Sequence, residues 1–190
     1  MQKATVKRRP PSTHKKVVVR KLDKSLVRGY VDPRAYLSAD AVELLEHEGR
    51  LVGIPLCQIK AVFFVRDFEG NRQHPERKSF RSRPRQSGLW VRMIFKDSEI
   101  LEGLMPNNLL EIDPSGFYIT PPDVYSNNLQ VFVPRNSLAE MEVLGVINYG
   151  KLRREQLQAG GATGEIGDIN GQIGLFGSSG AVRRKVATKH

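Results

Sequence analysis

The chain has 190 residues, room for one ordinary domain or two small ones, and its 39% hydrophobic content excludes a wholly disordered polypeptide. The net charge of +10 invites an anionic partner, yet residues 1–20 hold seven Lys or Arg and no acid, residues 72–85 carry +5 and residues 183–190 carry +4, which leaves −6 for everything else. One cysteine, Cys57, excludes an intramolecular disulfide and a cysteine-based zinc site, and no apolar run nears the roughly 18 residues of a membrane helix.

Residues 1–15 read as a disordered basic arm without the apolar segment of a secretory signal, so a cytoplasmic protein is the default expectation. A first unit is expected over 16–70. Val17 and Val19 alternate with polar residues and run into the turn formers Asp23-Lys24-Ser25, after which Leu26 to Val31 returns. Ala41 to Leu45 and Arg50 to Leu56 flank a hairpin tip at Glu46-His47-Glu48-Gly49, and Gln58 to Phe68 forms a last strand. Cys57, inside that apolar stretch, is expected to pack as a small side chain. Residues 71–88 form a basic linker. A second unit over 89–149 offers strands at Leu89–Lys96, Glu99–Met105, Leu109–Ile112, Phe117–Thr120, Gln130–Val133 and Leu138–Ile147. From Gly150 to residue 190 the chain is glycine-rich and reads as a flexible tail, with room for a short helix over Lys151–Gln158.

The two units resemble each other. At an offset of 74, Val17 matches Val91, Val19 matches Met93, Asp23 matches Asp97, Leu26 matches Ile100 and Gly29 matches Gly103. At an offset of 79, Pro55 matches Pro134, Ile59 matches Leu138, Val62 matches Met141 and Val65 matches Leu144. The extra five residues suit a longer loop around TPPDVYSNNLQ, which is rich in turn formers. Gly29 and Gly103 fall within a strand, where glycine marks a bend, and a small barrel needs such bends to close.

The run Val17 to Gly29, with Val19, Asp23 and Leu26, resembles the opening motif of the Sm-like (SH3-like) barrels, and Val91 to Gly103 resembles it less closely. That resemblance implies a mainly β chain of two tandem small barrels, and the whole chain is similar to an uncharacterised group of bacterial proteins with such units in tandem. It also implies RNA binding, through an aspartate followed by an asparagine after the bend strand. Here VDPRAYLS supplies Asp32 without the asparagine, and MPNNLLEI supplies Asn107 and Asn108 without the aspartate.

Catalytic constellations are absent. The four histidines occupy tails or turns and none forms H-x-x-x-H; Asp97, Glu99 and Glu102 lie around a turn and read as exposed charge rather than an acid–base pair. The expectation is a non-enzymatic protein without cofactor or metal. The chemistry concentrates in SFRSRPRQSG, where Arg81 and Arg85 form R-x-x-x-R directly before a strand. This resembles the loop of PilZ domains, in which two arginines grip the phosphates and guanines of cyclic di-GMP. That family carries D/N-x-S-x-x-G downstream, whereas Asp113-Pro114-Ser115-Gly116 has its glycine two positions early. Three readings stand for the stretch: a solvated joint, a hook for RNA or DNA backbone, or a cyclic dinucleotide clamp. The candidate contact residues are Arg77, Lys78, Arg81, Arg83 and Arg85, with Phe80 and Trp90 as flanking aromatics. A protein-interaction adaptor or a self-associating module is the remaining class.

Overall fold

Alternation of apolar and polar residues sets the strands, and short turn sequences join them. A computed structural model describes residues 13–148 apart from positions 39, 72, 109 and 111. β1 (Lys15–Lys21) sends Val17 and Val19 into the core; it turns at Lys24, whose φ is +71°, and returns as β2 (Leu26–Val31). Asp23 makes that turn affordable by accepting a hydrogen bond from the Ser25 amide at 2.8 Å. β3 (Ala41–Glu46), β4 (Leu51–Pro55), a single 3-10 turn (Leu56–Gln58) and β5 (Ile59–Val65) complete the first half. The second half runs β6 (Gly88–Phe95), β7 (Ile100–Met105), β8 (Gly116–Ile119), β9 (Asn128–Pro134), another 3-10 turn (Arg135–Ser137) and β10 (Leu138–Ile147). Ser98, with φ +65°, turns β6 into β7 as Lys24 turns β1 into β2.

The mainly β expectation holds, but neither half closes into a barrel of its own. Seven strands form one antiparallel sheet in the order β4-β3-β2-β1-β5-β9-β8, and three form another in the order β10-β6-β7. A bridge between Leu104 and Thr120 ties β7 to β8 and so links the sheets. The seam is β5, paired with β1 on one edge and β9 on the other. Its sequence IKAVFFV is apolar on both faces and needs cover on both, which explains why it lies inside a larger sheet. Val62 and Phe64 join the first core, which Phe132 of β9 completes; Ala61 joins the second core, around Val91, Met93 and Ile119.

Registers in the two halves correspond pair by pair. Val17↔Gly29 in β1–β2 stands against Val91↔Gly103 in β6–β7, each number 74 higher. Val17↔Phe64 in β1–β5 stands against Val91↔Val143 in β6–β10, the second number 79 higher. Val42↔Ile54 has its match in Phe117↔Val133, and Tyr30↔Leu45 in Leu104↔Thr120.

Several expectations need correction. Gly29 and Gly103 mark close approaches that the sequence reading did not anticipate: a Cβ on Gly29 would lie 2.5 Å from the Leu45 carbonyl oxygen, and one on Gly103 2.9 Å from Ile119 Cβ. Cys57 is exposed in the turn after Pro55, because its neighbour Leu56 takes the inward position. Lys15, assigned to the arm, begins β1. The strand expected over Leu109–Ile112 falls partly outside the described residues, and Leu110 and Ile112 are not in a strand. Residues 1–12 of the basic arm and the glycine-rich tail with its short helix lie outside the described residues. Among the described residues no helix is long and apolar enough to cross a membrane.

A candidate ligand-binding cleft

The basic segment between β5 and β6 is a strap fastened at several points. Asp123, in the loop between β8 and β9, has a fully buried side chain that accepts from His74 Nε2 at 2.7 Å, from the Arg77 amide at 3.3 Å and from the Tyr125 amide at 3.1 Å. Burial alone would raise its carboxyl pKa, but these hydrogen bonds win and lower it to about 2. Glu76 accepts from Ser126 Oγ at 2.8 Å and from Asn128 Nδ2 at 2.9 Å. Lys78 offers its carbonyl to the Glu102 amide at 2.8 Å, so the strap adds to the outer side of β7.

Two ion clusters hold the strap to the sheets. Glu102 is 5% exposed and accepts from the Phe80 amide (3.0 Å), the Trp90 indole Nε1 (3.2 Å) and Arg92 Nη2 (3.2 Å). Lys60 of β5, 3% exposed, donates to Asp97 and, at 2.6 Å, to Glu99, while its ammonium sits 4.7 Å from the centre of the Phe95 ring. Arg20 and Lys78 each approach Glu99 at 3.0 Å. Burial pushes the Glu99 pKa up, but Lys60, Lys78 and Arg20 together bring it down to about 2; Asp97 is lowered chiefly by its bond from Lys60. Asp97 is an exposed turn charge as expected, although it pairs with Lys60, whereas Glu99 and Glu102 are parts of packed networks because β5 and the strap fold over them. The ionised forms of Asp97 and Glu99 are stabilised, the opposite of what a general acid near neutral pH needs.

Thus tethered, the strap roofs an open cleft of about 570 Å³. Five arginines line it: Arg77, Arg81, Arg83 and Arg85 from the strap, and Arg66 at the end of β5. Leu104, Pro121, Pro122, Val124 and Leu129 supply apolar walls. Asp123 is the one acid among the described residues of the lining, and its side chain is buried and directed at His74 and Arg77. Among the described residues Arg66, Arg81, Arg83 and Arg85 have no carboxylate within 4.0 Å; Arg83 Nη2 reaches the Val146 carbonyl at 3.5 Å. Pro84 is buried between Arg83 and Arg85, which pins the loop while both guanidinium groups stay exposed.

Of the residues singled out in the sequence, Arg77, Phe80, Arg81, Arg83 and Arg85 meet in this cleft. Lys78 does not line it and is committed to Glu99. Trp90 lies against Phe80, ring centres 5.9 Å apart and nearly perpendicular, with its indole spent on Glu102. Arg66 was missed, since nothing in a lone arginine after an apolar strand announces a partner site. Asp113 and Ser115 do not line the cleft: Asp113 caps its own turn by accepting from the Ser115 amide at 2.8 Å. Asp32 likewise caps a turn through the Arg34 amide at 3.0 Å. Among the described residues no group of three His, Cys, Asp or Glu side chains is arranged to hold a metal.

Over the described residues the fold and cleft define a mainly β chain with an arginine-lined opening beside its sheet seam. The chain belongs to a family of unknown function, DUF6982, which matches residues 13–145. No curated protein and no solved structure matches it.

Proposed function

We propose that this chain is a non-catalytic binding module, built from two copies of one five-strand unit, whose cleft takes a compact phosphodiester ligand of the cyclic di-GMP type. The matching registers of the two halves support the duplication, and the resemblance of Arg81–Arg85 to the PilZ loop supports the ligand class. One observation carries the reading: five arginines converge on a single cleft whose only acid among the described residues is buried and already satisfied. Guanidinium forks bind phosphate oxygens in pairs and stack on flat bases, and the apolar walls suit a nucleobase. Each charge-assisted contact of this kind is worth about 1.5–3 kcal/mol, roughly 10- to 100-fold in affinity.

Calorimetry with cyclic di-GMP is the test. Heat of binding is expected for the unmutated chain and loss of at least about tenfold in affinity for Arg81→Ala with Arg85→Ala. Absence of heat with the unmutated chain ends this reading. A nucleic-acid strand is the second reading, favoured by the clusters of Lys and Arg over residues 1–20 and 183–190. The mutual packing of Phe80 and Trp90 removes the stacking platform a single strand would use, so contact would run through the phosphate backbone. Filter binding of RNA at two salt concentrations separates the two, since backbone binding weakens steeply with salt.

A further inference from the structure

The corresponding registers leave one pairing without its counterpart. At the seam β5 pairs with β9 through Val62↔Phe132, Phe63↔Val131 and Phe64↔Gln130. By the offset of 79, the matching residues are Met141, Glu142 and Val143 of β10, and Gly53, Val52 and Leu51 of β4. Among the described residues β10 pairs only with β6 and β4 only with β3, so each ends its sheet with an open edge. An open edge presents unpaired amides and carbonyls, a template for another strand.

We propose that β10 of one copy pairs antiparallel with β4 of a second copy of this chain, in the register of the β5–β9 seam. Met141 then lies opposite Gly53, Glu142 opposite Val52, and Val143 opposite Leu51. The choice of a second copy rests on three features. Val143 is 55% exposed and Leu51 66% exposed, and the transferred register sets these two uncovered apolar side chains directly across from each other. Gly53 has open space at its Cβ position, leaving room where Met141 would cross. Leu110, 96% exposed, stands 74 residues after Tyr36, and Tyr36 packs at the internal seam against Phe64 at 5.6 Å and Phe132 at 6.3 Å. Arg83 at the Val146 carbonyl ends the free run just beyond Leu144. Because β10 and β4 are different strands, the contact is heterologous, and closed assemblies arise when successive copies complete a ring, two being the smallest number.

Light scattering on the full chain tests this. The chain is expected at a multiple of its 21.4 kDa mass, and Leu51→Glu and Val143→Glu are each expected to bring it to 21.4 kDa. Circular dichroism should stay unchanged, since both side chains face solvent in the isolated copy, while the melting temperature should fall only by what association contributed. Combining Leu51→Lys with Val143→Glu should restore assembly, and a Leu51→Cys, Val143→Cys chain in a Cys57→Ser background should form disulfide-linked multimers. A monomeric unmutated chain, or an assembly untouched by Leu51→Glu and Val143→Glu in folded protein, overturns the proposal. It rests on the matching registers and not on the ligand reading, so mass and calorimetry report on the two separately.

Discussion

β5 and β10 meet β1 and β6 in the same register, yet β5 is covered on both faces and both edges while β10 fully buries only Ile147. The same contrast separates their partners at the seam. Phe132 of β9 is wholly buried, and Gly53, at the matching place in β4, faces open space. What differs is the neighbour. At the seam the slots carry Ala61 and Phe63 of β5 and Phe132 of β9; at the open edges the matching slots carry Glu140 and Glu142 of β10 and Gly53 of β4. One backbone slot can therefore hold core or surface chemistry, and the adjoining strand decides which.

Substitutions at matched positions break or sharpen this contrast. The largest effect is expected at Phe132→Ala, a loss of about 3–5 kcal/mol in urea unfolding, because the side chain completes the core across the seam. Ile59→Ala should cost about 2–5 kcal/mol, and Leu138→Ala, its half-buried match, clearly less; equal losses would show that the two strands are equivalent after all.

Lys60→Ala is expected to cost about 1.5–3 kcal/mol, since it strips a buried cation from Asp97 and Glu99. Ala139, exposed at the matching place in β10, should accept lysine with little change in melting temperature. Acid titration probes the same cluster. Glu99 and Asp123 titrate lower in the folded chain than in the unfolded one, so they contribute stability fully above pH 4.5 and lose it as pH falls toward about 2. Glu99→Gln should flatten that acid limb, whereas the matching residue in the first hairpin, Ser25, supplies no such carboxylate. The smallest effect belongs to Gly53→Ala, within about 0.5 kcal/mol of the parent by thermal melting.

Strands were legible wherever the signal was local. Val17 and Val19, the Asp23–Ser25 turn and the apolar run from Ile59 each carry their conformation in a few neighbouring residues. The cluster Arg81 to Arg85 was visible as a density of charge, and so was its placement before a strand. Three things were not visible: that Arg66 joins it, that Trp90 is spent on Glu102, and that Glu99 and Glu102 lie inside networks with Lys60 and Arg92. Each depends on partners 10 to 39 residues apart in the chain, or 19 in the case of Arg66 and Arg85.

By itself the sequence determined a β-rich chain, its turns, and a positive surplus kept to residues 1–20, 72–85 and 183–190, because periodicity, turn chemistry and charge are local properties. Only the tertiary structure decided that β5 pairs with β9 instead of closing a barrel, and that five arginines face one cleft. Strand alternation states which face is apolar but is silent on which edge lies alongside, and edge pairing is what brought distant residues together.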